Sequence, residues 1–247
     1  MAASSMGVVR SLLLSALLIS TALPLAGYGE TIALIGTGEV SGAFGPRFAD
    51  LGHQVIYGSR SPDRPEVQEL VRATGTGASA ALPNEAAAQA DIVMINVPWS
   101  VAEEVVLGLG DLAGKIVIDP INPRIVDEDG YRDYPTYTSN AERIQNLAPQ
   151  AFVVKAFNTI SADTMIDPGV LGHPVTIPVA GNDAAAKQTV AALAEALGYE
   201  AIDVGPVRYA HIVEGFYLLR SNARDQHGTH YEYHLRRRET AVPQEIR

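Results

Sequence analysis

Residues Thr31 to Arg60, TIALIGTGEVSGAFGPRFADLGHQVIYGSR, constrain the fold more tightly than any other stretch. An apolar run, Thr31 to Ile35, meets Gly36 and Gly38; a helical stretch then leads to a second apolar run, Gln54 to Tyr57. The order strand, tight turn, helix, strand predicts a βαβ unit. Glycines at the turn let N–H groups of the helix start approach a pyrophosphate, where the helix dipole also favours negative charge. Gly36, Thr37, Gly38, Glu39 and Val40 are the expected contacts there. The third glycine of the usual pattern is Ser41, followed by Gly42. Serine is small enough for close helix–strand packing, but its hydroxyl needs a partner. Pro46 removes an N–H inside the helix and crowds the Gly42 carbonyl, which predicts a kink.

An NAD enzyme places Asp or Glu at the end of the second strand, against the ribose 2′-hydroxyl. This chain reads Tyr57-Gly58-Ser59-Arg60 instead. A hydroxyl and a guanidinium suit a 2′-phosphate, which arginine binds through charge-assisted, bidentate bonds. Arg64 adds a second positive charge. The bland alternative is a solvated turn with surface arginines. Both halves of the fingerprint agree, and the expected cofactor is NADP(H).

A chain of 247 residues allows one full α/β domain with a smaller appendage. A formal charge of −10 argues against nucleic acid as a partner, because such binding needs a basic stripe. The lack of cysteine excludes disulfides, thiolate zinc sites, cysteine-ligated iron–sulfur clusters and a cysteine nucleophile. Residues 1–29 read as a signal-like leader. Arg10 precedes an apolar stretch, Leu12 to Leu25, broken by Ser15, Ser20, Thr21 and Pro24, and small residues follow at Ala26, Gly27 and Gly29. The protein is therefore expected to be exported or periplasmic, with membrane contact only through the leader if it stays uncleaved. A misassigned start codon would make it cytoplasmic. Export conflicts with a cofactor normally found in the cytoplasm.

Beyond Arg60 the pattern keeps alternating. Helices are expected over Pro65 to Ala73, Glu85 to Ala90 (capped by Asn84) and Ser100 to Leu109, and strands over Thr76 to Leu82, Asp91 to Pro98 and Lys115 to Asp119. Strands separated by helix-length segments predict an α/β fold with a Rossmann-type, doubly wound parallel sheet. Ligands on such sheets bind outside the carboxyl ends of the strands. Those ends carry Val97-Pro98-Trp99 and Asp119-Pro120-Ile121-Asn122-Pro123. Trp99 is a candidate wall for the cofactor, with core packing as the alternative. Asn122 is either an amide for a carboxamide or ribose hydroxyl, or a turn-former between prolines. Asp119 reads as a loop-orienting carboxylate rather than a general acid. A strand from Phe152 to Lys155 then runs into Ala156, Phe157, Asn158 and Thr159, again at a carboxyl edge, where a surface lysine and a turn residue are the bland readings of Lys155 and Asn158.

Ser139-Asn140-Ala141-Glu142, with Val153 to Ala162 (VVKAFNTISA), resembles the cytosolic reductase domain of the six-transmembrane metalloreductases, the STEAP family. Gly36-Thr37-Gly38, Gly58-Ser59-Arg60, Val117 to Asp119 and Gly181-Asn182-Asp183 carry the same resemblance. More distantly the chain is similar to the deazaflavin-dependent NADP oxidoreductases, which share GTG, GSR and Val97-Pro98-Trp99. The resemblance covers roughly Thr31 to Pro206, and KAFNTIS is its most specific part. It implies that Thr37, Ser59, Arg60 and Arg64 hold the 2′-phosphate end, that Asn122, Ala156 and Asn158 lie near the nicotinamide, and that a flavin or deazaflavin is the co-substrate. Hydride transfer between two rings needs no protein acid or base, so no catalytic side chain is expected. No six-helix stretch follows in this sequence, and onward transfer to metal ions is carried only as an analogy.

Val175 to Ala180 and Ala201 to Val204 read as further strands, Asp183 to Leu197 as an amphipathic helix, and Ile212 to Leu219 as a short helix. The remainder, with Arg236-Arg237-Arg238 and Pro243, reads as an exposed tail. His227, His230 and His234 are spaced to share a helix face, but Gly228 and polar surroundings favour a solvated tail, and no metal site is expected. The expected organisation is a leader at 1–29, an NADP-binding domain at 30–206, and a C-terminal helix and tail at 207–247. The leading function is an NADPH-dependent oxidoreductase acting on a small-molecule redox acceptor, with a homodimer as the expected assembly. The alternatives are a small-substrate dehydrogenase or imine reductase of the pyrroline-carboxylate reductase type, and an exported nucleotide-binding module without turnover.

Overall fold

The computed structural model describes residues 29–236, so most of the leader, with Arg237, Arg238 and Pro243, lies outside the described residues. β1 (Thr31–Ile35), α1 (Glu39–Asp50) and β2 (Gln54–Gly58) form the expected βαβ unit. α2 (Pro65–Thr74), β3 (Ala78–Ala81), α3 (Pro83–Gln89), β4 (Ile92–Ile95), α4 (Trp99–Gly108) and β5 (Ile116–Asp119) continue the alternation. A short hairpin, β6 (Ile125–Val126) and β7 (Arg132–Asp133), leads to α5 (Asn140–Leu147), β8 (Phe152–Lys155) and α6 (Ala162–Ile166). The chain finishes with β9 (Thr176–Gly181), α7 (Ala184–Ala196), β10 (Glu200–Gly205), a 3-10 turn at Val207–Tyr209, and α8 (Ala210–His227).

Eight strands make one sheet in the order β10-β9-β8-β5-β4-β1-β2-β3. The winding reverses between β1 and β4, and that is the switch point where such sheets open a crevice. Register keeps the strand ends level: Ile35 pairs with both Gly58 and Ile95, and Asp119 pairs with Lys155. Both sheet faces are covered. Ile32, Leu34, Tyr57, Met94 and Val154 pack with Phe44 and Phe48 of α1, while Ala33, Ile35, Val93, Ile95 and Val153 pack with α4 and α5 on the other side. Burial on both faces explains why these strands read as continuous apolar runs.

The expected Rossmann-type parallel sheet holds from β3 through β8 and needs correction only at one end. β9 runs antiparallel to β8, with Lys155 opposite Ala180, and β10 follows β9 in parallel. A parallel return would need a crossover that carries the chain back along the sheet. The five-residue α6 spans only about 7.5 Å, so the chain turns back at the edge where β8 ended.

A smaller correction has a local cause. Asn84 does not cap α3, because Pro83 takes the first helical position, to which its fixed φ is suited, and Glu85 reaches back to the Leu82 N–H at 3.3 Å. Pro46 lies inside the span of α1.

The C-terminal part differs most from expectation. α8 has 18 residues rather than the eight from Ile212 to Leu219, because its inner face buries the polar Glu214, Arg220 and Ser221 and so shows no apolar period. Gly228, at φ +65°, ends the helix, so His227, His230 and His234 do not share a helix face. The tail up to Arg236 packs back onto the domain. Tyr233 accepts from the Thr176 N–H through its carbonyl (2.8 Å) and donates its hydroxyl to the Phe216 carbonyl (2.7 Å), while Glu232 accepts from the Ser161 N–H (2.8 Å). Among the described residues no helix is long and apolar enough to cross a membrane.

Candidate cofactor site

The turn after β1 leaves no room for any residue but glycine. Gly36 adopts φ +108°, and a Cβ there would lie 2.3 Å from the Asn96 carbonyl oxygen. Its N–H donates to the Gly58 carbonyl at 2.9 Å, which pins the turn to the end of β2. Gly38 is the N-cap of α1, and a Cβ on it would meet nothing within 4 Å. The helix start therefore has no capping side chain, and its first N–H groups have no helical partner. Glu39 is exposed beside them, and Thr37 and Val40 are partly buried. Ser41 finds the partner its hydroxyl needs: Oγ donates to the Gly36 carbonyl (2.7 Å) and accepts from Asn96 Nδ2 (2.9 Å). Serine in place of glycine thus ties the turn to the end of β4.

Ser59, Arg60 and Arg64 gather beyond β2. Ser59 is buried, and its Oγ accepts from the Ser61 N–H at 3.2 Å, which leaves its own proton to donate. Arg60 and Arg64 are exposed, and among the described residues neither forms an ion pair. Arg64 precedes α2 and Arg60 sits in the loop before it.

At the other end of the edge, Val97 stands beside the Gly36 turn, and Pro98 leads into α4. Trp99 is the first residue of α4 and packs against the core cluster of that face, so the packing role is observed. Asn122 and Asn158, 36 positions apart in sequence, pair reciprocally. Asn122 Nδ2 donates to the Asn158 carbonyl and Asn158 Nδ2 to Asn122 Oδ1, both at 2.9 Å. Asn158 Nδ2 also reaches the Val213 carbonyl at 3.2 Å. Both donations fix the amide's orientation and leave Asn158 Oδ1 a buried acceptor with no donor among the described residues. Asn96 Oδ1 is in the same condition. Phe157, between Ala156 and Asn158, has φ +63°, a conformation uncommon for a bulky side chain and one held here by edge-to-face packing on Phe44 (5.1 Å). Ala156 is fully buried and offers the site only its backbone.

The residues fit an extended dinucleotide bearing a 2′-phosphate. Two unpaired guanidinium groups lie at one end, free helix N–H groups above a glycine turn in the middle, and an unpaired amide oxygen at the other. The sequence reading named residues in all three regions.

It missed what lies beneath them. Lys155 is not a surface lysine but fully buried, as is Asp119, and Glu214 of α8 is nearly so. Lys155 Nζ donates to Asp119 Oδ2 (3.1 Å), Glu214 Oε1 (2.7 Å) and the Ile121 carbonyl, which uses all three of its N–H groups. Asp119 Oδ1 accepts from the Ile121 N–H at 2.9 Å, so this carboxylate does orient its loop. Asn140 Nδ2 donates to Asp119 Oδ1, and the Asn140 N–H to Glu214 Oε1, both at 2.9 Å. The motif Ser139-Asn140-Ala141-Glu142 is a capping box at the start of α5, and it sets Asn140 in place. Burial pushes the Glu214 carboxyl up to about 7; Lys155 opposes this shift and Asp119 adds to it. Burial works against the charge on Lys155, but the two carboxylates outweigh it and hold the ammonium above its usual range. The sequence held one usable signal: Lys155 and Asp119 each end an apolar parallel strand, where a buried charge needs a counter-charge.

The wall above this edge is built by α8 and the β6–β7 hairpin. Arg132 and Asn222 exchange backbone–side-chain bonds (2.7 and 2.9 Å), and Tyr134 donates to the His211 carbonyl (2.8 Å) with its ring 4.1 Å from that imidazole. Burial and the nearby Glu214 charge push the Tyr134 hydroxyl up to about 12.

Comparison with known proteins agrees with an NADP-dependent oxidoreductase. Residues 31–123 match the family model described as NADP oxidoreductase, coenzyme F420-dependent. The F420-dependent NADP reductase of Methanothermobacter thermautotrophicus is 30% identical over 212 residues, which cover 79% of this chain and 90% of that protein. A crystal structure from Arthrobacter sp. FB24, described as an F420-dependent NADP-reductase, is 32% identical with a TM-score of 0.74, covering 81% of this chain and 96% of that one. The rat metalloreductase STEAP3 is 29% identical over 189 residues, 76% of this chain but only 36% of the metalloreductase. The chain thus spans about a third of the length of the metalloreductases it matches.

Proposed function

The chain belongs to the family of coenzyme F420-dependent NADP oxidoreductases, and on that premise we propose that it moves a hydride between NADP(H) and a flavin or deazaflavin acceptor. The observation that carries the proposal is the order of groups along one sheet edge: cation pair, free helix N–H groups, unpaired amide oxygen. Arg60 and Arg64, with the Ser59 hydroxyl, would hold the 2′-phosphate. The turn from Gly36 to Val40 would take the pyrophosphate. Asn158 Oδ1 lacks a donor, and a carboxamide N–H₂ would supply one. Bound NADPH would bring the hydride. The protein's part is to set distance and angle and to keep water from the reacting faces. Lys155 has no free N–H and is no candidate acid.

The metal-ion step named for the metalloreductases is not part of this proposal, though ferric chelates belong in the test. Purified protein is mixed with NADPH under anaerobic conditions and screened against riboflavin, FMN, FAD, a deazaflavin and ferric chelates. Oxidation of NADPH with one of the ring acceptors, and none with NADH at equal concentration, is the expected result. No oxidation with any of them returns the chain to a nucleotide-binding module without turnover. We also propose that residues 1–29 direct export. Mass spectrometry of the native N-terminus should find cleavage near Gly29, and an intact leader on a cytoplasmic protein overturns it.

A further inference from the structure

The buried charges at Lys155, Asp119 and Glu214 take no part in hydride transfer, yet burying three charges is costly, and apolar side chains of similar volume often stabilise a fold as well. Their bonds show where the arrangement acts. Lys155 and Asp119 hold Ile121 by both its carbonyl and its N–H, and Asn122 follows directly. Glu214 ties α8 to Lys155 and to the start of α5. Its neighbour Val213 supplies the carbonyl that fixes the Asn158 amide. Two bonds of the cluster thus end at Ile121, one residue before Asn122, and Glu214 adjoins the residue whose carbonyl holds Asn158.

We propose that Glu214 is a positioning residue: through Lys155 and the Val213 carbonyl it sets the Asn122–Asn158 pair so that Asn158 Oδ1 meets the nicotinamide carboxamide. This rests on the reading that the nicotinamide lies at that pair. It adds a residue from α8 to the binding edge. Two features support it. Glu214 is anchored by a single oxygen, Oε1, which takes both of its donors, so its position controls the backbone of α8 at Val213. The cluster also spans β5, β8, α5 and α8, so no single element can move without breaking it.

The test compares two ligands by titration calorimetry, without turnover: NADPH, and 2′-phospho-ADP-ribose, which lacks the nicotinamide. Their affinity ratio reports the nicotinamide end alone. Wild-type protein should bind NADPH about tenfold tighter than 2′-phospho-ADP-ribose, the size of one well-placed hydrogen bond. Glu214→Leu should bind 2′-phospho-ADP-ribose as the wild type does while the ratio falls toward 1. Glu214→Gln, whose amide oxygen can still accept from Lys155 and Asn140, should restore the ratio, which a bulk packing role would not require. A Glu214→Leu protein that keeps the wild-type ratio overturns the proposal. If that variant does not fold, Glu214→Asp withdraws the carboxylate by one methylene and should lower the ratio at least about threefold; an unchanged ratio there overturns it equally. A wild-type ratio near 1 removes the nicotinamide reading itself, and the proposal with it.

Discussion

At the scale of single residues, the proposed cofactor choice rests on guanidinium groups that no ion pair engages among the described residues. Arg60 is exposed and forms no ion pair among the described residues, so its removal should leave the fold alone. Arg60→Ala is expected to weaken NADPH binding by about 1.5 to 3 kcal/mol, the range for hydrogen bonds to a charged group, and to leave NADH binding almost unchanged. Titration of both nucleotides checks this, and equal losses for the two would reject the 2′-phosphate assignment. Asn158 is a different case, because its amide braces the edge through Asn122 and the Val213 carbonyl as well as making the proposed contact. Asn158→Ala should weaken NADPH binding about tenfold, the size of the carboxamide bond it removes, leave 2′-phospho-ADP-ribose binding unchanged, and slow hydride transfer by about one to two orders of magnitude, the cost of a misplacement near 1 Å. Single-turnover kinetics separate the two effects; unchanged turnover would make Asn158 only a turn-former.

At the scale of elements, α8 decides most. Its docking passes through a carboxyl whose ordinary pKa of 4.5 is raised to about 7, mainly by burial. The folded state holds that proton more tightly than the unfolded chain between those values. Glu214's contribution to stability is therefore complete below about 4.5 and is lost as the pH rises through about 7. From about pH 5 to about pH 8 the wild type should lose about 2 to 3 kcal/mol more stability than Glu214→Gln, whose amide does not titrate. Urea unfolding of both proteins at the two pH values measures the difference. Identical pH dependence would mean that Glu214 is ionised throughout. The reversal of β9 also belongs to this scale, since a five-residue α6 cannot serve as a crossover helix.

For the whole molecule, one eight-stranded sheet brings loops from β1, β2, β4, β5 and β8 to a common edge, and the α8–hairpin wall stands over it. The first strand begins at Thr31, and Gly29 is already anchored to the Gly52 carbonyl at 3.1 Å. Removing residues 1–28 is expected to leave the melting temperature and NADPH affinity unchanged. Loss of either in a thermal melt or titration would make the leader part of the domain rather than an export signal.

The sequence alone determined the βαβ unit, the parallel succession through β8 and the NADP-type ending of β2. Each depends on residues a few positions apart: the apolar runs, the glycines of a tight turn, the serine–arginine pair. Short-range period and turn chemistry carry such features wherever the chain goes. Only the tertiary structure decided that Lys155 is buried, that Asn122 and Asn158 pair, and that the polar face of α8 points inward. Those contacts join residues 36, 59 and 74 positions apart, and they exist because strand order sets β8 beside β5 and returns α8 to α5. A lysine at a strand end looks the same in sequence whether water or two carboxylates await it. The sheet's order supplies the carboxylates, and the low dielectric around them makes their pairing obligatory.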